Sequence, residues 1–178
     1  MRAYRLTLAA GLAAVALSAC ATVEPSRIMA PLDPADFAWS TGTGSNAVSG
    51  TAILRTVGGE ARTCAGSEVQ LTPDAPYTRE RTLLLYRATD RAFLERGNSI
   101  IIAGEGYAFR QFVRTTACDA LGAFEFKGLP DGVYYLTASV LWEVPTGTYV
   151  SYMAPQGGWM MQQVTVSGGQ SVRVVLSR

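Results

Sequence analysis

Carboxylates are the side chains of this sequence that could still carry out catalysis, because the chain has no histidine. Without an imidazole, Ser-His-Asp and Cys-His nucleophilic arrangements are excluded in their usual form. The sequence also has no zinc-like ligand cluster and no phosphate-binding glycine loop with a following lysine. A carboxylate pair remains able to hydrolyse a glycosidic bond, and the best-placed acids are Asp119, Glu125, Asp131 and Glu143.

These acids are nevertheless typical of structural positions. Asp119 and Asp131 lie in turn-like contexts, where aspartate commonly bonds to the backbone. Glu125 alternates outward from Phe124 and Phe126, as a solvated strand residue does. We therefore expect a non-catalytic protein without a metal or another cofactor.

Aromatic side chains offer a second kind of chemistry, which is binding. Four of them are interspersed with proline and glycine turn signals in one region: Trp142, Tyr149, Tyr152 and Trp159. Exposed aromatic rings on a rigid scaffold stack on sugar rings or anchor a protein partner. Trp142 continues a strand, which favours core packing for that residue, whereas for Trp159 core packing and binding both stay open.

Cys20 ends an N-terminal segment whose pattern is typical of a secretion signal. Arg2 and Arg5 precede an uncharged apolar run over 6–17. That run is too short to span a bilayer, which needs about 20 residues. The ending Leu-Ser-Ala-Cys at 17–20 resembles the bacterial lipobox. This resemblance implies that residues 1–19 are a cleaved signal peptide and that the Cys20 thiol carries a lipid. The alternative is an ordinary signal peptide followed by a chance cysteine.

The residue after Cys20 bears on where such a protein resides. In the enterobacterial sorting rule an Asp at this position retains a lipoprotein at the inner membrane, and here Ala21 takes its place. We therefore expect a lipoprotein of the bacterial cell envelope, in the outer membrane, whose membrane contact is its lipid anchor.

Cys64 and Cys118 are the two remaining cysteines. In an oxidising compartment, two thiols of an exported domain most simply form a disulfide. A metal or redox pair is the alternative, but the sequence has neither a Cys-x-x-Cys spacing nor a further ligand in view. We predict a disulfide that joins them.

Composition predicts one all-β domain and excludes nucleic acid as a partner. Removing Arg2 and Arg5 with residues 1–19 leaves 13 basic and 14 acidic side chains, and the net charge of −1 gives no attraction to polyanions. Charged residues are sparse, and β-branched and aromatic residues recur in short runs. We expect a lipidated N-terminus and tether over 20–46, on which Phe37 and Trp39 dock against the domain, and the domain itself over 47–178.

Alternation and turn signals predict the strands. They are expected at 48–57, 67–72, 99–103, 107–116, 122–126, 133–142, 160–166 and 172–176, with the last two paired as a hairpin. We interpret about 74–106 as an insertion that is partly helical, with a helix from Asp90 to Gly97.

The order of these signals resembles the carboxypeptidase regulatory-like domain. The matching segments are 48–52, 69–73, 119–136, 164–169 and 172–176, and they include Gly-x-Phe-x-Phe at 122–126 and Leu-Pro-x-Gly-x-Tyr at 129–134. The resemblance implies a transthyretin-like, Ig-like β-sandwich of about seven strands. It implies no single function, because such domains serve as accessory modules, receptor parts and free-standing exported proteins.

The sequence leads to two functional hypotheses. The first is a non-catalytic envelope lipoprotein that acts as an interaction or structural module, with an envelope protein as partner and an oligomeric state that the sequence leaves unknown. The alternative is a carbohydrate-binding lipoprotein whose loop aromatics bind peptidoglycan or an exported glycan.

Overall fold

The computed structural model of the 178-residue chain describes residues 26–98, 100–103, 107–147 and 152–178. The strands, in chain order, are β1 Ser26–Arg27, β2 Asn46–Arg55, β3 Ala61–Thr63, β4 Glu68–Pro73, β5 Arg91–Glu95, β6 Ile102–Ala103, β7 Arg114–Ala117, β8 Ala123–Leu129, β9 Gly132–Thr146, β10 Tyr152–Val166 and β11 Ser171–Leu176. The helices are a 3₁₀ helix at Pro34–Ser40, α1 at Pro76–Tyr86 and α2 at Tyr107–Arg110.

Two sheets face each other as a sandwich. The larger sheet has the strand order β5-β10-β9-β4-β7, and all of its pairings are antiparallel. In the smaller sheet, β2 pairs antiparallel with β3 and β8 on one side and parallel with β11 on the other. β1 and β6 form a separate short parallel pair. The predicted all-β, sandwich-like fold is thus confirmed.

The hydrophobic core fills the space between the sheets. Because side chains alternate along a strand, every second residue of β9 points inward, and the next one points to the outer face of the larger sheet. The same alternation in the other strands also places side chains in the core. The core residues of both sheets include Val48, Val69, Leu71, Leu136, Val140, Val166 and Val174, which are all nearly or fully buried. Burying each such side chain stabilises the fold by roughly 1.5–3 kcal/mol.

Two strand predictions are wrong at the C-terminal end and in the middle of the chain. Residues 160–166 and 172–176 do not form a hairpin, because β10 pairs with β9 and β5 whereas β11 crosses to the smaller sheet and pairs with β2. The expected long strand over 107–116 is the short helix α2 followed by β7. Sequence alternation shows which face is apolar but does not identify the partner strand.

The insertion is partly helical as expected, but the helix lies elsewhere. Asp90 to Gly97 contains strand β5, and the helix is α1, from Pro76 to Tyr86. Pro76 is tolerated at the first helical position, because a backbone N–H there would have no acceptor within the helix. The Thr78 hydroxyl accepts from the Ala75 N–H at 2.8 Å and donates to the Pro73 carbonyl at 2.7 Å. The helix start is therefore set by a buried threonine.

The segment before β2 packs on the domain, as expected for Phe37 and Trp39. Phe37 is fully buried and stacks on Phe112, with ring centroids 4.1 Å apart. Trp39 meets Tyr134 edge to face at 5.2 Å. Any Cβ at Gly132 would lie 2.1 Å from the Trp39 ring, so a glycine is needed for this contact. Cys20 and the rest of residues 1–25 lie outside the described residues.

The disulfide joins the edges of the two sheets. Cys64 directly follows β3 of the smaller sheet, and Cys118 directly follows β7 of the larger one. Their Cα atoms are 5.8 Å apart, and both residues are buried. The predicted pairing is confirmed, and it links two strands that have no hydrogen bonds to each other.

Removing this disulfide should destabilise the domain. Replacing both residues (Cys64→Ala with Cys118→Ala) releases a loop of 54 residues, which in the chain-entropy model costs about 4 kcal/mol of unfolding free energy. Urea unfolding of the variant and the wild type measures the difference. Treating the wild type with reductant should give a similar loss. A wild-type protein whose Cys64 and Cys118 react with a thiol reagent after denaturation without reductant would contradict the pairing.

Candidate functional site

The outer face of the larger sheet is half covered by helix α1. Odd-numbered residues of β9 point to this face, among them Tyr135, Thr137 and Ser139. Helix α1 follows β4 directly, and its last residue, Tyr86, is hydrogen-bonded with Thr137. Burial there raises the pKa of the Tyr86 phenol. The helix therefore ends over the middle of the face and leaves part of it open.

A partly buried polar network fixes the start of the helix to the sheet. The Asp74 carboxylate accepts a hydrogen bond from the Tyr135 hydroxyl at 2.9 Å and an ion-paired one from the Arg79 guanidinium at 2.5 Å. Asp74 is mostly buried, whereas Arg79 is exposed. Tyr135 is only 2% exposed, and burial together with the Asp74 carboxylate raises its pKa to about 12.

The uncovered part of the face is a cavity of about 390 Å³, which we name the outer-face groove. Its lining residues are Glu68, Gln70, Arg81, Leu85, Tyr86, Leu94, Thr137, Ala138, Ser139 and Trp159. They come from α1 and from strands β4, β5, β9 and β10. The volume lies within the roughly 300–1,000 Å³ of small-molecule sites.

The groove combines one aromatic platform with a row of hydrogen-bonding groups. Trp159 is half-buried beside Leu94, its register partner on β5. Across the strands lie the Ser139 and Thr137 hydroxyls and the Gln70 amide, which donates to the Glu68 carboxylate at 2.8 Å. Arg81 forms the wall, with its guanidinium 5.1 Å from the centre of the Phe109 ring. Among the described residues, no three Asp, Glu or Cys side chains come together as metal ligands.

The four predicted aromatic residues do not form one cluster. Trp159 pairs in register with Ser139, whereas Trp142 pairs with Gln156, so the two tryptophans point to opposite faces of the sheet. Trp142 packs against the core, as its position in a strand favoured. Tyr152, 60% exposed, lies at the far end of β10, and Tyr149 lies outside the described residues. Of the three that the structure describes, Trp159 alone lines the outer-face groove.

Trp142 lines a second cavity, of about 460 Å³, at the mouth between the sheets. Three of its charged side chains already have contacts in the protein. Arg62 pairs with Glu60 at 2.8 Å, and the Arg178 guanidinium lies 5.0 Å from the centre of the Phe93 ring. A Cβ at Gly157 would lie 2.8 Å from the Trp142 ring, so the ring is pressed against the strand. This cavity closes the end of the core and is a weaker candidate despite its size.

The candidate acids lie apart from the groove. Asp119 accepts from the backbone N–H groups of Leu121 and Ala123, and Asp131 accepts from Gly168 N–H and the Asn46 amide. Glu125 pairs on the surface with Lys127, and Glu143 is exposed. The expectation that Asp119 and Asp131 bond to the backbone is confirmed.

Sequence reasoning missed the polar residues of the groove. The alternation of Glu68 and Gln70 with Val69 and Leu71 indicated that both polar side chains point out of the core. Arg81 occurs in a stretch of arginines that a solvated surface also explains. Nothing local shows that α1 brings Arg81 over the strand that carries Gln70, because that contact depends on how the helix packs.

Comparison with known proteins supports the fold. No family model matches the chain, and neither does any curated protein. The structure does resemble that of a protein of Pseudomonas aeruginosa to which carbohydrate binding has been provisionally ascribed, with a TM-score of 0.68 over 82% of this chain and 97% of the other, at 21% identity. The likeness is one of fold. The resemblance to the carboxypeptidase regulatory-like family stays a prediction.

The contact between Tyr135 and Asp74 should make stability depend on pH. The pKa of Tyr135 is raised from 10.0 to about 12 in the folded state. Its contribution is therefore complete below about pH 10 and is lost as the pH rises towards 12. We expect the wild type to exceed Tyr135→Phe in unfolding free energy at pH 9, and the gap to shrink as the pH rises through this window. Urea unfolding at several pH values measures it, and a constant gap would show that the contact does not depend on the neutral phenol.

Proposed function

We propose that this chain is a carbohydrate-binding protein and that the outer-face groove holds the sugar. The observation that carries the proposal is the position of Trp159 beside the hydroxyl, amide and carboxylate groups of one open cavity. This is the alternative that the sequence offered, and it is a specific case of the wider class of non-catalytic interaction modules.

The groups in the groove match the chemistry of a sugar ring. A pyranose has C–H faces that stack on an aromatic ring and a rim of hydroxyls that both donate and accept hydrogen bonds. Trp159 offers the ring, and Leu94 and Leu85 extend the apolar surface. Glu68 accepts hydrogen bonds, Arg81 donates them, and Ser139 does both. The mixture of one platform and several fixed polar groups is typical of a small-molecule site.

The similar Pseudomonas structure supports this proposal in one respect. Its fold is shared over most of both chains, and carbohydrate binding has been provisionally ascribed to it. A sandwich of this shape therefore has a precedent consistent with a glycan ligand. The argument for this chain rests on its own groove.

We further propose that the protein acts in the bacterial envelope, held by a lipid on Cys20. The confirmed disulfide supports a compartment outside the cytoplasm. In the part of the chain that the structure describes, none of the helices has the length and apolar character to cross a bilayer. Peptidoglycan or an exported glycan is then the available ligand class.

Removing the Trp159 ring should weaken sugar binding. We expect Trp159→Ala to weaken binding of N-acetylglucosamine or glucose oligomers by about tenfold or more, since one well-packed aromatic contact commonly contributes more than 1 kcal/mol. Isothermal titration calorimetry of the full chain in detergent measures it. Gln70→Ala should also weaken binding of these oligomers.

Trp142→Ala is the matched control, because it removes the same ring from the opposite face of the same sheet. It should lower stability, since Trp142 packs against the core, yet leave the dissociation constant unchanged at a temperature where the variant is folded. Equal losses of binding in the two variants would argue against the groove. A wild type that binds no glycan of the series would overturn the proposal.

The lipid anchor has its own test. Expressed with its native leader in a Gram-negative host, the mature chain should begin at Cys20 and carry diacylglycerol and an acyl group, as intact mass spectrometry reports. Cys20→Ser should abolish the added mass and release the protein from membranes. A mature chain of unmodified mass, starting at any residue, would contradict the anchor.

A further inference from the structure

A smaller cavity lies next to the outer-face groove on the same face of the sheet. This cavity has a volume of about 210 Å³ and is lined by Phe109, Arg110, Val113 and Thr115, together with Glu68, Gln70 and Arg81. The last three residues also line the outer-face groove. The two cavities therefore meet at Glu68, Gln70 and Arg81, and we name the smaller one the far cavity.

The strand register places these cavities in neighbouring rows of the sheet, two residues apart along the strands. Trp159 of β10 lies beside Leu94 of β5 and Ser139 of β9, and Gln70 of β4 lies beside Thr137 of β9 and Thr115 of β7. The path from β5 to β7 thus crosses all five strands. Four inter-strand spacings of ~4.8 Å make it about 19 Å long.

This length exceeds what one sugar ring requires. A pyranose ring is about as long as the spacing between neighbouring strands, so the path accommodates roughly four rings in a row. The far cavity alone is smaller than the about 300 Å³ at which independent ligand sites begin. Its shared lining with the outer-face groove makes it an extension of that site.

The groups along the path suit a chain of sugars as well as they suit one ring. Trp159 provides the platform at one end, and Phe109 and Val113 provide apolar surface at the other. Between them, the Gln70 amide is held by Glu68 at 2.8 Å, and Arg81 lies over the Phe109 ring. Hydrogen-bonding groups thus recur in the middle of the path, where the linkages of an oligomer would lie.

We infer that the site takes a linear oligosaccharide of several units, laid across four strands from Trp159 on β10 to Thr115 on β7. The inference rests on the proposed function and specifies its ligand as an oligomer in place of a single sugar. The ligand crosses the strands obliquely, and its units contact β10, β9, β4 and β7 in turn.

The test measures how affinity depends on oligomer length. For N-acetylglucosamine oligomers of one to six units, titrated into the full chain in detergent, affinity should rise by about tenfold or more from the dimer to the tetramer and then level off. Thr115→Leu fills the far cavity with an apolar side chain that makes no hydrogen bonds. It should remove the gain from length and leave the affinity for the dimer unchanged.

Thr165→Leu is the matched control, because Thr165 is an exposed residue of the same sheet outside both cavities. It should keep the gain from length. If the tetramer binds no tighter than the dimer, or if both leucine variants reduce the gain equally, the inference is overturned. The proposed function still stands in that case if the protein binds the dimer and Trp159→Ala weakens that binding. If no oligomer of these glycans binds, both fail.

Discussion

The long antiparallel pairing of β9 with β10 is the constraint on which the rest of the structure depends. It runs from Gly132 opposite Val166 to Thr146 opposite Tyr152, and it forms the centre of the five-stranded sheet. One face of this ribbon supplies core residues such as Val140 and Met160, and the other supplies Ser139 and Trp159 to the groove. Because alternation links the two faces, a slip of one residue would bury the groove residues and expose the core.

Two further interactions hold other elements to this ribbon. The disulfide ties the end of β3 to the end of β7, so the smaller sheet is covalently held over the core. The Asp74 carboxylate, between Tyr135 and Arg79, holds the start of α1 on the outer face. The first interaction stabilises the sandwich, and the second determines which part of the outer face is covered. The groove lies beside α1, on the part of the outer face that the helix leaves open.

An open face with polar side chains is ordinary for an antiparallel sheet, whose outer side commonly meets water. Here α1 and α2 enclose that face, and the enclosed strip carries Trp159 among hydroxyl, amide and carboxylate groups. Trp142 packs against the core, whereas Trp159 is half-buried on the outer face. The physical argument for the proposed sugar ligand is the position of Trp159 beside these polar groups in an open groove.

The sequence by itself determined the sandwich class and the Cys64–Cys118 disulfide, because period-two alternation and export chemistry are local signals. It also pointed to Trp159. It did not determine that β11 pairs with β2, that the helix is α1 and not 90–97, or that Trp142 and Trp159 lie on opposite faces. Those features depend on register and on the packing of α1 against a sheet whose strands are distant in sequence. Only the tertiary structure brings Arg81, Gln70 and Trp159 to one groove, since the contacts that place them join residues up to about ninety positions apart.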